Sequence, residues 1–124
     1  MNYLLVFIGG GLGAALRHGV NKAALAHLGP DFPYGTFLVN VLGGLLMGIF
    51  AELFFQGAGT SQGPRLFLST GLLGGFTTFS AFSLEAGLMW QRGDYVTLSV
   101  YAIGSVVLSI VALFAGMAAT RSIV

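Results

Sequence analysis

The stretch Gly71-Leu-Leu-Gly-Gly-Phe-Thr-Thr-Phe-Ser-Ala-Phe-Ser83 constrains this chain more than any other. It lies within an apolar run long enough to cross a bilayer, for which a helix needs about 20 residues. Its middle holds Gly74, Gly75, Thr77 and Thr78, which loosen a helix rather than extend it. Backbone that leaves the helix at membrane depth must be buried in protein or line a cavity. The simplest reason to build such a break is to bind or pass an ion.

Composition fixes the setting. Of 124 residues, 56% are hydrophobic and 7% charged, and mean hydropathy is +0.89. An ordinary soluble domain has about a quarter of its residues charged. The chain therefore reads as an integral membrane protein with little outside the bilayer, one transmembrane domain over residues 1–124. It has no cysteine, which excludes disulfides and thiolate metal sites. A net charge of +1 gives no basic surface for nucleic acid. The first apolar run lacks a basic leader and is expected to remain as a helix, not a cleaved signal peptide. A bacterial inner membrane is the default location, with a multi-pass topology.

Four spans fit: about Tyr3–Ala26, Tyr34–Phe55, Arg65–Gln91 (interrupted near Gly74–Thr78) and Tyr95–Ala119. The connection Leu28–Pro33 carries Gly29, Pro30 and Pro33, which break helices. Gln56–Pro64 is rich in Gly, Ser and Thr and ends on a proline suited to a helix start. Arg92-Gly93-Asp94 makes a tight turn. Tyr3, Tyr34, Trp90 and Tyr95 fall near span ends, as in an aromatic belt. Glycines pair at a spacing of four (Gly9/Gly13, Gly44/Gly48, Gly71/Gly75), which lets helix backbones approach closely in lipid.

Orientation follows the Lys/Arg bias of short loops. Arg65 and Arg121 share one side of a four-span chain; Lys22, Arg92 and by position Arg17 belong to the other. Neither side wins. A chain without preference can insert both ways, and opposite copies can pair about an axis in the membrane plane. A homodimer would supply eight helices and a shared interior, where one thin bundle has little room.

Several polar residues lie at depth. Asn40 is about six residues, roughly 9 Å, into the second span. Its amide either bonds a neighbouring helix or donates to a passing anion. Phe79 and Phe82 share a helix face. They either pack or present positive ring edges to a small anion, a softer attraction than a fixed Lys or Arg, which could hold the ion too tightly to release it. Ser80 and Ser83, and Ser105 and Ser109 with Tyr101 one turn earlier, either bond back to their own helices or form a ladder of donors. Freed carbonyls at the break suit a hard cation such as Na+, and such a cation at a dimer interface could stitch two breaks together. Arg17 either snorkels or raises anion concentration in a vestibule. Glu85 marks a proton pathway or a helix–helix hydrogen bond. Glu52, near the end of its span, is expected to reach the interface, and His18 and His27 give little sign of a metal site.

Gly74–Glu85 closely resembles the third-helix signature of the Fluc (CrcB) fluoride channels. Gly35-Thr-Phe-Leu-Val-Asn40 resembles their second-helix motif, and Gly10-Gly-Leu-Gly-Ala-Ala-Leu-Arg17 their first. The match covers nearly the whole chain. It implies an all-α membrane protein of four transmembrane helices, the third broken at its middle, in an antiparallel dual-topology homodimer with two fluoride pores. It implies an aromatic box of Phe79 and Phe82 and fluoride donation by Asn40. A hydroxyl track of Ser80, Ser83 and Ser109, with Tyr101 lining the pore, matches as well. A structural Na+ would be held at the dimer interface by the main-chain carbonyls of Gly74 and Thr77. Arg17 matches the vestibule arginine and Glu85 the third-helix glutamate. One departure is Ala81, where the family commonly has Thr or Ser.

The expectation is a passive fluoride channel, not an enzyme, that lets F− leave the cytoplasm and so confers fluoride resistance. Its partners would be fluoride, membrane lipid and a second copy of the chain. A fluoride/proton antiporter using Glu85 is one rival. A small multidrug-type exporter is another, but it needs a carboxylate in the first span, and none is there. A membrane scaffold that transports nothing is a third.

Overall fold

The computed structural model describes residues 1–56 and 62–123; the middle of the expected Gln56–Pro64 loop lies outside the described residues. The regular structure of the described chain is all helical, in the order α1 (Asn2–Leu28), α2 (Tyr34–Gln56), α3 (Gln62–Arg65), a π-helical stretch (Leu66–Leu73), α4 (Gly74–Phe76), α5 (Phe79–Gln91) and α6 (Tyr95–Ile123). Four segments are long and apolar enough to span a membrane: Asn2–Leu28, Tyr34–Phe54, Gln62–Gln91 and Tyr95–Ile123. The last runs one turn beyond the expected Ala119, and Arg121 in that added turn is paired although it stays largely exposed. Its Nε and Nη2 donate to the two carboxylate oxygens of Glu52, each at 3.1 Å. Glu52 thus sits buried against α6.

The third span is divided, as its glycines and threonines predict, but the division is narrower than that run of residues. Gly74 and Gly75 are helical; only Thr77 and Thr78 are extended, at φ −89°, ψ 159° and φ −152°, ψ 125°. The arm before the break, residues 62–76, is largely π-helical. That widened turn passes through Ser69, Thr70 and Gly71, all weak α-helix formers. The sequence pattern gave no sign of it.

Two tight helix pairs organise the rest. The first arm lies along α1, and α2 lies along α6. In the first pair Gly9 meets Gly71, and a Cβ on Gly13 or Gly75 would strike the Leu72 or Gly10 carbonyl. In the second, Gly44 and Gly48 meet the backbone of Ser109 and Leu113, and Gly116 meets that of Leu45. Small residues thus let backbones touch where lipid offers no hydrophobic drive for association. A core of Val39, Leu73 and Phe76 joins the two pairs. The second arm, α5, leans on this frame much less, touching mainly α6.

The turns follow their residues. Gly93, at φ 75°, closes α5. Its N–H bonds the Trp90 carbonyl and the Asp94 N–H that of Met89, a left-handed glycine stop. Trp90 and Tyr95 meet edge to face beside this turn, ring centroids 5.1 Å apart, in keeping with an aromatic belt.

The packing predicts opposite outcomes at two kinds of glycine. Gly75→Ala must displace the α1 backbone and is expected to lower thermal stability in detergent. Gly19→Ala meets open space and gains up to about 1 kcal/mol of helix propensity. Thermal unfolding of both variants checks this; equal behaviour would contradict the close-packed α1 interface.

Candidate functional site

Interrupting a helix frees carbonyls and N–H groups that hydrocarbon cannot satisfy. Side chains supply partners at this break. Asn40 from α2 makes two bonds to one residue: its Nδ2 donates to the Thr78 carbonyl at 3.0 Å, and the Thr78 N–H donates to its Oδ1 at 2.9 Å. The Thr78 hydroxyl accepts from the Ala81 N–H at 3.1 Å and so caps α5. The Thr77 hydroxyl donates back to the Leu73 carbonyl at 2.9 Å. Arg17 reaches from α1 and donates through Nε to the Gly75 carbonyl at 3.2 Å. The carbonyls of Gly74 and Thr77 accept none of these bonds.

Beside the break lies a cavity of about 290 Å³ lined by Asn40, Thr77, Thr78, Phe79, Phe82, Ser105, Val106, Ser109 and Ile110. None of these side chains is ionisable. Asn40 has two N–H donors; Thr78 takes one and the second remains for the cavity. Ser105 is buried, and its hydroxyl has no hydrogen-bond partner among the described residues. The Phe79 and Phe82 rings lie 5.5 Å apart at 38°. The cavity wall is incomplete: Phe79 is 77% exposed, and Val106 and Ile110 are about half exposed.

The other expected residues lie around it. Tyr101 is fully buried against Phe82 at 5.1 Å, its hydroxyl unpartnered among the described residues. Ser80 and Ser83 are exposed and do not line the cavity. Ser83 donates back to the Phe79 carbonyl at 2.9 Å, and the Ser80 hydroxyl lies 3.2 Å from that of Thr78. Glu85 accepts a 2.6 Å bond from the Thr36 hydroxyl, which ties α5 to the start of α2. It lines a second cavity of about 390 Å³, with Thr36, Phe32, Ala81 and Arg92, at the loop end of the bundle. Arg17 lines neither cavity. Ser105 was expected only as half of the Ser105/Ser109 pair, and Thr36 and Phe32 were not assigned a role, although Thr36 lies within the second-helix motif.

The sequence matches the family described as CrcB-like protein, Camphor Resistance (CrcB), over residues 4–117. The chain belongs to the CrcB family. Among its relatives, the Fluoride-specific ion channel FluC 2 of Nitrobacter hamburgensis is 56% identical over 122 residues, 98% of each chain. The Fluoride-specific ion channel FluC of Rhodopseudomonas palustris is 54% identical over 123 residues, 99% of each chain. That of Methylobacterium nodulans is 51% identical over 121 residues, 98% of this chain and 97% of the relative. This CrcB chain therefore matches these relatives over nearly its whole length.

The paired hydrogen bonds between Asn40 and Thr78 make a stability prediction. Asn40→Leu leaves the Thr78 N–H and carbonyl unpaired and is expected to cost about 1–3 kcal/mol. A lowered unfolding temperature in detergent checks this; unchanged stability would mean the break does not need Asn40.

Proposed function

We propose that this protein is a passive fluoride channel that works as an antiparallel homodimer in a bacterial inner membrane. One observation carries the reading. The cavity at the break collects an amide N–H, a buried unpartnered serine hydroxyl, a second serine and two phenyl rings, with no fixed charge. A small anion in hydrocarbon needs replacements for its water, and neutral donors and ring edges supply them. Without an opposing full charge the ion is held weakly enough to leave. Arg17 would add positive potential from beside the break. The full-length relatives named as fluoride-specific channels support the same reading, and nothing favours an antiporter or a multidrug exporter. No catalytic step is involved.

The dimer is supported by what one copy leaves open. Ser80, Ser83, Phe79 and Gly74 are exposed along the third span, where lipid would otherwise meet hydroxyls and a loosened backbone. A second copy would cover them and complete the cavity wall. The near-even spread of Lys and Arg supports opposite insertion. The Gly74 and Thr77 carbonyls suit a hard cation: the two breaks of a dimer would offer four oxygens to a structural Na+ between them.

Fluoride efflux from proteoliposomes, read with a fluoride electrode, tests the path. Asn40→Asp places a negative charge in the cavity and is expected to cut efflux by on the order of a hundredfold or more. Phe82→Ile is expected to cut it severely. Wild-type efflux in either would remove this cavity from the path. Orientation has its own test, because the chain has no cysteine. A single Lys22→Cys is expected to react with an impermeant maleimide from both faces, about half from each if insertion follows the balanced charge. Labelling from one face alone would contradict dual topology.

A further inference from the structure

A row of rings continues past the two phenylalanines at the break. Phe79 meets Phe82 at 5.5 Å, Phe82 meets Tyr101 at 5.1 Å, and Tyr101 meets Phe32 edge to face at 5.4 Å and 87°. The row links the two cavities. Phe82 lines the inner one, and Phe32 lines the outer one with Thr36 and Glu85. Tyr101 stands between them, fully buried, with its hydroxyl unpartnered among the described residues. Phe82 and Phe32 are its ring neighbours, and Thr36 and Glu85 lie on the side of its hydroxyl.

Phe32 has a simpler use. It precedes Pro33 at the start of α2 and packs on Phe37 at 5.9 Å, a hydrophobic staple that sets how the chain enters that helix. A staple alone does not account for the Tyr101 contact. That ring belongs to α6, 69 positions away in sequence, and is already enclosed by the bundle.

We propose that Phe32 is a positioning residue of the anion path. It holds Tyr101 in place between the two cavities, so that an ion leaving the inner cavity passes a fixed wall. This rests on reading the inner cavity as the path. Loss of the Phe32 ring frees Tyr101 to turn into the passage. An aromatic replacement keeps it in place.

The test uses the full chain in liposomes, with initial fluoride efflux measured against fluoride concentration and normalised to folded protein. Phe32→Leu is expected to change the half-saturating concentration and to lower maximal efflux about twofold to tenfold, the scale of one aromatic contact. Phe32→Met is the second variant if the leucine form does not fold. Phe32→Trp is expected to stay within about twofold of wild type, since it restores an edge-to-face partner. Phe37→Leu removes the staple and leaves Tyr101 its neighbours; it is expected to lower thermal stability while efflux per folded protein stays at the wild-type value. Wild-type efflux in Phe32→Leu, beside a blocked Phe82→Ile, overturns this proposal alone. Equal losses in Phe32→Leu and Phe37→Leu reduce Phe32 to a staple and also overturn it. Wild-type efflux in Phe82→Ile overturns the inner cavity as the path, and this proposal with it.

Discussion

The structure depends on satisfying a broken backbone where no water is at hand. A two-residue extended segment in the middle of a span exposes polar groups that lipid cannot bond, each costing several kcal/mol if left bare. Asn40, Arg17 and the hydroxyls of Thr77 and Thr78 answer that need from α1, α2 and the broken span itself. The break is therefore held open by a network drawn from several elements, not by loose residues alone. Because Asn40 spends one N–H on Thr78, the site keeps one donor for a ligand without leaving a gap in the backbone.

The same constraint explains the uneven packing. The two helix pairs are stitched together by glycines, whereas the arm after the break touches little of the rest of the chain. That arm carries both phenylalanines and two exposed serines. The frame thus leaves one face partly uncovered, the face that the proposed second copy would complete.

Much of this was legible in the sequence, and the limits have physical causes. Hydropathy and turn residues locate the spans and the Arg92–Asp94 turn, because lipid enforces length and glycine marks a left-handed stop. The Gly-Gly-Phe-Thr-Thr run marks the break to within a few residues. It overstates the width, since Gly74 and Gly75 remain helical and serve close packing instead. The π-helical arm was not legible, because α and π turns draw on the same residue types. Of the two uses open to Asn40, the geometry shows the bond to a neighbouring element; donation to an anion belongs to the proposed function. The Glu52–Arg121 pair and the Phe32–Tyr101 contact join positions 69 apart in each case. No local pattern predicts contacts of that range, which depend on how the helix pairs are set against one another.

The most direct measurement is the reversal potential of the purified protein in a planar bilayer, under a fluoride gradient and with equal pH on both sides. A fluoride-selective pore lined by neutral donors predicts a current that reverses at the fluoride equilibrium potential, about 59 mV for a tenfold gradient of a monovalent ion. It also predicts no shift when chloride is varied instead. A current that appears only with a pH gradient, or one that reverses with chloride, would contradict it.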